Sequence, residues 1–254
     1  MTSASPSGFL AGHRLAAYWL LAFGLSWGSL LLARIEPAVA SVYAFGPAIA
    51  AGLVVAGTGG RAELIALLRH THQWRVALRW YLAAIGMPAG IALAVAALDW
   101  LLGGRKPFEF ADLPLLAILV VPFYLGEEIG WRGFALPELL RRRSPLVASL
   151  VLGLVWASWH VPFFAARLEA FPLYMVIVTT WTVLFTWLWL GAAGSLVVVT
   201  LMHAMFNDAS VLKAGVEPAW NDLLTALVSI AVAAVVAVGW RRWKAGPGLA
   251  GAVI

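Results

Sequence analysis

The chain has 254 residues, of which 63% are hydrophobic and only 11% charged. Soluble domains carry about 25% charged residues, so a water-soluble fold is excluded and residues 1–254 read as one integral membrane domain of all-α, polytopic bundle type. The formal charge of +5 does not imply nucleic acid, because the basic residues lie between apolar runs, and the absence of cysteine excludes disulfides, thiolate metal sites and a cysteine nucleophile.

Taken in order, the first apolar run follows His13 and Arg14 and extends to Ala33. It exceeds the roughly 7 to 15 apolar residues of a cleaved signal, so it is expected to stay as a span. Further runs of membrane length cover 38–56, 80–102, 113 to about 128, 145–165, 171–190, 195–212 and 220–240, giving about eight transmembrane helices. The fourth is short before its carboxylates, which places them at membrane depth or at its cytoplasmic edge.

Basic residues sort the connections. With the N-terminus inside, Arg14, the arginines at 61, 69, 75 and 79, those at 141–143, and Arg241, Arg242 and Lys244 fall on one side. Arg34, Arg105, Lys106, Arg167 and Lys213 fall on the other, balanced there by acidic residues. The bias puts both termini in the cytoplasm, and the Ala- and Arg-rich composition favours a bacterial plasma membrane. Residues 62–79 mix leucines with arginines and read as an interfacial amphipathic helix. His70 and His72, two apart, share no helical face and read as solvated.

The stretch Gly126-Glu127-Glu128-Ile129-Gly130-Trp131-Arg132 organises the chemistry. Each charge near a bilayer centre costs about 2.5 to 3.5 kcal/mol on the insertion scale, so charges held there have a task. Glu128 and Arg132, four apart, share a helix face and can pair, while Glu127 points about 100° away and is free to take a proton. The fifth span contains Trp156 and His160 one turn apart, with Pro162 disturbing the ladder just beyond. The sixth is rich in Trp and Thr without an ionisable group, for which packing is sufficient explanation. The seventh gathers Thr200, His203, Asn207 and Asp208, with His203 and Asn207 on one face. The eighth holds nothing able to do chemistry.

Ionisable groups in lipid pair or line a wet cavity, so Glu127, Glu128, Arg132, His160, His203 and Asn207 are expected to meet. Two hydrolytic chemistries remain open. Glu127, His160 and His203 can hold one divalent ion such as Zn2+ and acidify its water. Alternatively a carboxylate and a histidine activate water directly, with His203 and Asn207 donating to the oxyanion.

These residues resemble the CPBP intramembrane proteases, the family of the CAAX prenyl endopeptidases and bacterial Abi-type proteins. Two glutamates, three residues and arginine match Glu127, Glu128 and Arg132; an aromatic, three residues and histidine resemble Trp156 and His160; histidine, three residues and Asn or Asp resemble His203 and Asn207. The motif core spans roughly 113–212. Trp156 stands where the family usually has phenylalanine, a departure expected to touch pocket shape rather than chemistry. The resemblance implies Glu127 as general base assisted by His160, Glu128 and Arg132 as orienting groups, and His203 with Asn207 holding the oxyanion or a metal. It implies a site enclosed below the cytoplasmic surface and a membrane-associated or lipidated peptide or protein substrate within the lipid bilayer. Two other classes compete: a catalytically idle scaffold or bacteriocin-immunity-type binding protein, and a proton- or ion-coupled transporter. No inverted repeat supports the latter.

Overall fold

A computed structural model describes residues 12–104, 116–209, 213, 216 and 218–240. Its helices are α1 (Arg14–Leu32), α2 (Val42–Arg69), α3 (Leu78–Leu101), α4 (Leu116–Gly130), α5 (Leu136–Leu140), α6 (Pro145–Trp159), α7 (Phe171–Gly191), α8 (Leu196–Asp208) and α9 (Pro218–Trp240). There is no strand among the described residues. Five helical stretches are long and apolar enough to cross a bilayer, and Pro145–Trp159 and Leu196–Asp208 are shorter apolar helices. The chain is a multi-pass, all-α membrane bundle. The basic pair at 105 and 106 and the tail beyond Trp240 lie outside the described residues.

Neighbouring helices run α1, α2, α4, α8, α3, α9, α7 and α6 around the bundle. Lipid offers no hydrophobic drive for this association, so close backbone approach must supply the contact energy. Glycine provides it where α4 meets α2. A Cβ on Gly130 would lie 2.4 Å from Pro47 Cβ and 2.6 Å from the Pro47 carbonyl, and one on Gly126 would lie 2.8 Å from Phe45. On the other side of the bundle, a Cβ on Gly153 of α6 would lie 2.6 Å from Thr179 Cα of α7. Two such seams fix the lateral positions of α4 and α6.

Two expectations change in detail. The carboxylates do not end the fourth span, because α4 continues through a π-helical turn, Trp131–Ala135, into α5. Pro137 explains the wide turn: it lacks an N–H for the Gly133 carbonyl four residues back and crowds it, so the Leu136 amide reaches Trp131 O instead. The rod 116–140 leaves Glu128 about 18 Å from either end. Residues 62–79 are α-helical only in their first half, as a segment set off from the span before it by a break at Gly60. α2 kinks at Gly60, whose φ of 64° and ψ of −158° only glycine adopts readily, and resumes to Arg69.

Beyond it the chain passes through a 3-10 turn, His70–His72, and returns irregularly to α3. His70 Nδ1 lies 3.2 Å from Gly194 O, Gln73 donates to Ala193 O at 2.9 Å, and the Ser195 hydroxyl donates to Gln73 O at 2.5 Å. His70 is thus a tether to the α7–α8 connection rather than a solvated side chain; His72 is exposed as expected. At the same end of the bundle Arg14 of α1 pairs with Glu63 of α2 and, at 3.4 Å, with Glu138 of α5. The arginine-bearing segments around 14, 61–79 and 141–143 therefore share one end.

The glycine seam is testable. Gly130→Ala is expected to force α4 off α2 and cost about 1 to 3 kcal/mol, whereas Gly86→Ala, inside α3 with nothing within 4 Å of its Cβ, is expected to keep or slightly raise stability. Thermal melting in detergent compares the two, and equal midpoints would remove close packing at Gly130 as a determinant.

Candidate active site

Halfway along the α4–α5 rod, Glu128 and Arg132 are fully buried and Glu127 is 8% exposed. Arg132 Nη1 donates to Glu128 Oε1 at 2.9 Å, the pairing that the spacing predicts. The same oxygen lies 2.8 Å from His203 Nδ1 of α8. A carboxylate only accepts, so Nδ1 carries the proton and the His203 Nε2 edge is turned away from Glu128. The guanidinium is further held between rings, with Cζ 4.1 Å from the Trp156 centroid and 4.3 Å from that of Phe185. Cation–π attraction in a desolvated setting is worth about 2 kcal/mol and offsets the missing partners of Arg132 Nε and Nη2.

Glu127 is held differently. Its Oε2 accepts a hydrogen bond from Trp156 Nε1 at 3.0 Å, and among the described residues no cation pairs with it. The neighbouring carboxylates thus have separate environments: Glu128 takes both its donors on Oε1 and leaves Oε2 buried without a partner, whereas Glu127 has no cationic partner within ion-pair distance and is slightly exposed. Trp156 does more than shape the pocket, since its indole N–H touches the carboxylate expected to act as base. Phenylalanine at this position would leave Glu127 without that donor.

α6 ends at Trp159, earlier than the expected 165: Pro162 has no N–H for the Ser158 carbonyl, and the Phe163 amide turns to His160 O at 3.0 Å, which leaves Trp159 O without a helical donor. Two side chains from other helices take that oxygen, the Tyr43 hydroxyl at 2.7 Å and Trp27 Nε1 at 2.9 Å. The ring of Tyr43 also stacks on Trp159, with centroids 3.9 Å apart. This bracing fixes His160 at the helix terminus, where Nδ1 donates to Trp156 O at 2.8 Å and leaves Nε2 as the working nitrogen. The Trp156 ring lies between the two histidines, 5.8 Å from His160 and 5.3 Å from His203.

The structure thus gathers Glu127, Glu128, Arg132, His160 and His203 around Trp156. Asn207 stands one turn beyond His203 at an exposed position and hydrogen-bonds the Tyr124 side chain instead of a site carboxylate. Tyr124 and Phe185 are the contributors that the sequence reading missed. Tyr124 stacks on His203 at 4.7 Å, and its position one turn before Glu128 is a signal the spacing contains. Phe185 lacks such a signal, being one apolar residue among many in α7.

No group of three His, Cys, Asp or Glu side chains is arranged to hold a metal ion among the described residues. Glu127, His160 and His203 instead direct contact atoms to Trp156 and Glu128. These bonds leave Nε2 of both histidines and Oε1 of Glu127 unengaged, and the steps proposed below use the side chains alone.

Residues 109–208 match the model of the Rce1-like family, type II CAAX prenyl endopeptidases. The motif segment is thus similar to that family. A "CAAX prenyl protease 2" of Methanococcus maripaludis is 26% identical over 140 residues, covering 48% of this chain and 51% of the relative. The chain thus spans about half the length of that curated relative. Both comparisons agree with the family read from the three motifs, and the matched segment contains every residue of the cluster except those contributed by α1 and α2.

Removing one member of the buried pair has a calculable effect. Arg132→Ala strands Glu128 in the interior and is expected to cost about 3 to 5 kcal/mol. A melting temperature in detergent equal to that of the wild type would show that the pair contributes nothing to the folded state.

Proposed function

We propose that the chain is an intramembrane endopeptidase that hydrolyses a peptide bond of a membrane-associated polypeptide with water activated by Glu127. The observation that carries this reading is the unequal treatment of the two carboxylates. Glu128 is fully buried and takes both Arg132 and His203 on Oε1, so its charge is paired, while Glu127 is 8% exposed and is held by the neutral indole of Trp156 alone among the described hydrogen bonds.

In this mechanism Glu127 takes a proton from water as the oxygen attacks the scissile carbonyl, forming the new C–O bond. Asn207 and the Nε2 edge of His203 lie on the side where the carbonyl oxygen becomes an oxyanion, and the Asn207 amide donates to it. The proton held by Glu127 then passes to the leaving nitrogen, with His160 Nε2 as relay, and the C–N bond breaks. Glu128 and Arg132 hold the histidine and the indole in place. The dry surroundings strengthen each of these electrostatic contacts.

Purified protein in proteoliposomes, offered a panel of membrane-anchored peptides, tests the assignment. Wild type is expected to cleave at least one, and Glu127→Gln none while melting like wild type, because the base is lost and the volume kept. Persistent cleavage by Glu127→Gln would remove it from the mechanism. EDTA is expected to leave wild-type activity intact; loss on chelation with recovery on adding Zn2+ would transfer water activation to a metal.

The role given to the indole has its own readout. Trp156→Phe keeps the ring against Arg132 and deletes one hydrogen bond to a charged group, worth about 1.5 to 3 kcal/mol. A fall in kcat/KM of roughly 10- to 100-fold in a protein of unchanged melting temperature is expected; unchanged kinetics would limit Trp156 to packing.

A further inference from the structure

The segment that matches the family begins at residue 109, yet the turn carrying Arg132 is packed from α1, which lies outside it. Arg14, Tyr18 and Ala22 recur every four residues and share one face of that helix. Arg14 Cζ lies 5.5 Å from the centroid of Phe134, and Arg14 pairs with Glu138. One turn on, Tyr18 is fully buried, with its ring 5.0 Å from Phe134 and edge-on to Trp131 at 5.7 Å. α1 thus holds the π-helical turn through the residues on either side of Arg132 and Gly133.

The ring of Tyr18 suits this apolar setting, but its hydroxyl does not. It is buried and has no hydrogen-bond partner among the described residues, a condition that costs free energy unless a polar group answers it. The charged groups that act on it are Arg132, Glu128 and Glu127. Two of these carry buried atoms without partners of their own: Oε2 of Glu128, and Nε and Nη2 of Arg132. The sets are complementary. A carboxylate oxygen only accepts, a guanidinium nitrogen only donates, and a phenol does both, with one O–H and two lone pairs.

We infer that Tyr18 is a positioning residue of the site, its hydroxyl donating to Glu128 Oε2 and accepting from Arg132, directly or across one bridging water. Glu128 Oε1 already takes Arg132 and His203. A donor on the second oxygen fixes the plane of the carboxylate, and with it the His203 ring whose Nε2 edge faces the reaction. The charged centre is then completed by a helix that none of the three motifs includes. The effect on turnover rests on the endopeptidase reading; the hydrogen bond itself does not.

Tyr18→Phe keeps the ring against Trp131 and Phe134 and removes only the hydroxyl, so the sign of its effect is informative. Deleting an unpaired buried hydroxyl stabilises a protein, whereas deleting one bonded to charged groups destabilises it. The purified full-length variant in detergent is expected to melt about 3 °C or more below wild type. A midpoint equal to or above that of wild type would overturn the inference. In a Glu128→Gln background, where the acceptor is a neutral amide, the drop is expected to be roughly half as large or less. An undiminished drop would show that Glu128 is not the partner. Should Glu128→Gln fail to fold, the midpoint and kinetics of Tyr18→Phe decide alone.

The kinetic arm separates positioning from packing. In proteoliposomes, at a temperature where both proteins are folded, kcat on a cleaved membrane-anchored peptide is expected to fall roughly tenfold, with KM within about twofold of wild type. Unchanged kcat, or a change confined to KM, would reduce Tyr18 to packing. If wild type cleaves no peptide, the endopeptidase reading falls, while the melting midpoints still uphold or overturn the bond from Tyr18.

Discussion

One oxygen of Glu128 accepts from both Arg132 and His203, and this shared acceptor organises the interior. A lone carboxylate or guanidinium at this depth would cost several kcal/mol. Joining them across α4 and α8 converts that cost into a constraint on the bundle, because the two helices must present both side chains at one point. Trp156 and Phe185 then cover the guanidinium from α6 and α7, so four helices converge on a single charge. Glu127, the preceding residue, is turned away from the pair by helical geometry and takes its hydrogen bond from the indole. The different surroundings of the two glutamates follow from their being adjacent on a helix.

Such convergence requires backbones to come close, and the sequence provides for it at a few positions. Gly126 and Gly130 flank the glutamates and lie against Phe45 and Pro47 of α2. The turn that carries the chemistry is therefore also the turn that is pressed onto its neighbour. Ser26 adds to the same seam by donating to Tyr43 O at 2.8 Å, which joins α1 to the start of α2. Tyr43 in turn braces the end of α6. A path of specific contacts thus runs from the first helix to His160 without passing through the charged centre. It explains how a histidine after a proline-broken helix end is kept in register with a carboxylate on another helix.

Much of this was legible in the sequence because charge in lipid is rare and costly. Glu128 with Arg132 and the place of His160 and His203 within apolar helices followed from spacing, as did the multi-pass helical bundle. What escaped was whatever depends on a partner far away in the chain. The indole of Trp156 is an ordinary aromatic until Glu127, 29 residues earlier, is placed beside it. His70 reads as solvated until its partner, the Gly194 carbonyl, arrives from another connection. The break expected at the end of the fourth span was misjudged for a different reason: hydropathy falls at the glutamates, but the backbone bonding continues through a π turn to Leu140. Composition marks where apolar residues stop; only the hydrogen-bond ladder marks where a helix does.

The same distinction bears on how deep the site lies. Motif spacing relates residues along a helix and is blind to the direction in which that helix crosses the bilayer. Direction is carried by the arginines at the ends, and depth by how many residues separate them from the site. Trp156 and His160 lie 11 and 15 residues after the Pro145 that opens α6, about 16 and 22 Å along a helical path. In a hydrocarbon core of about 30 Å this places them past the midplane as seen from the arginine-rich end. That distance follows from helix length alone, whereas the neighbours that hold the two residues, Glu127 and Tyr174, come from other helices.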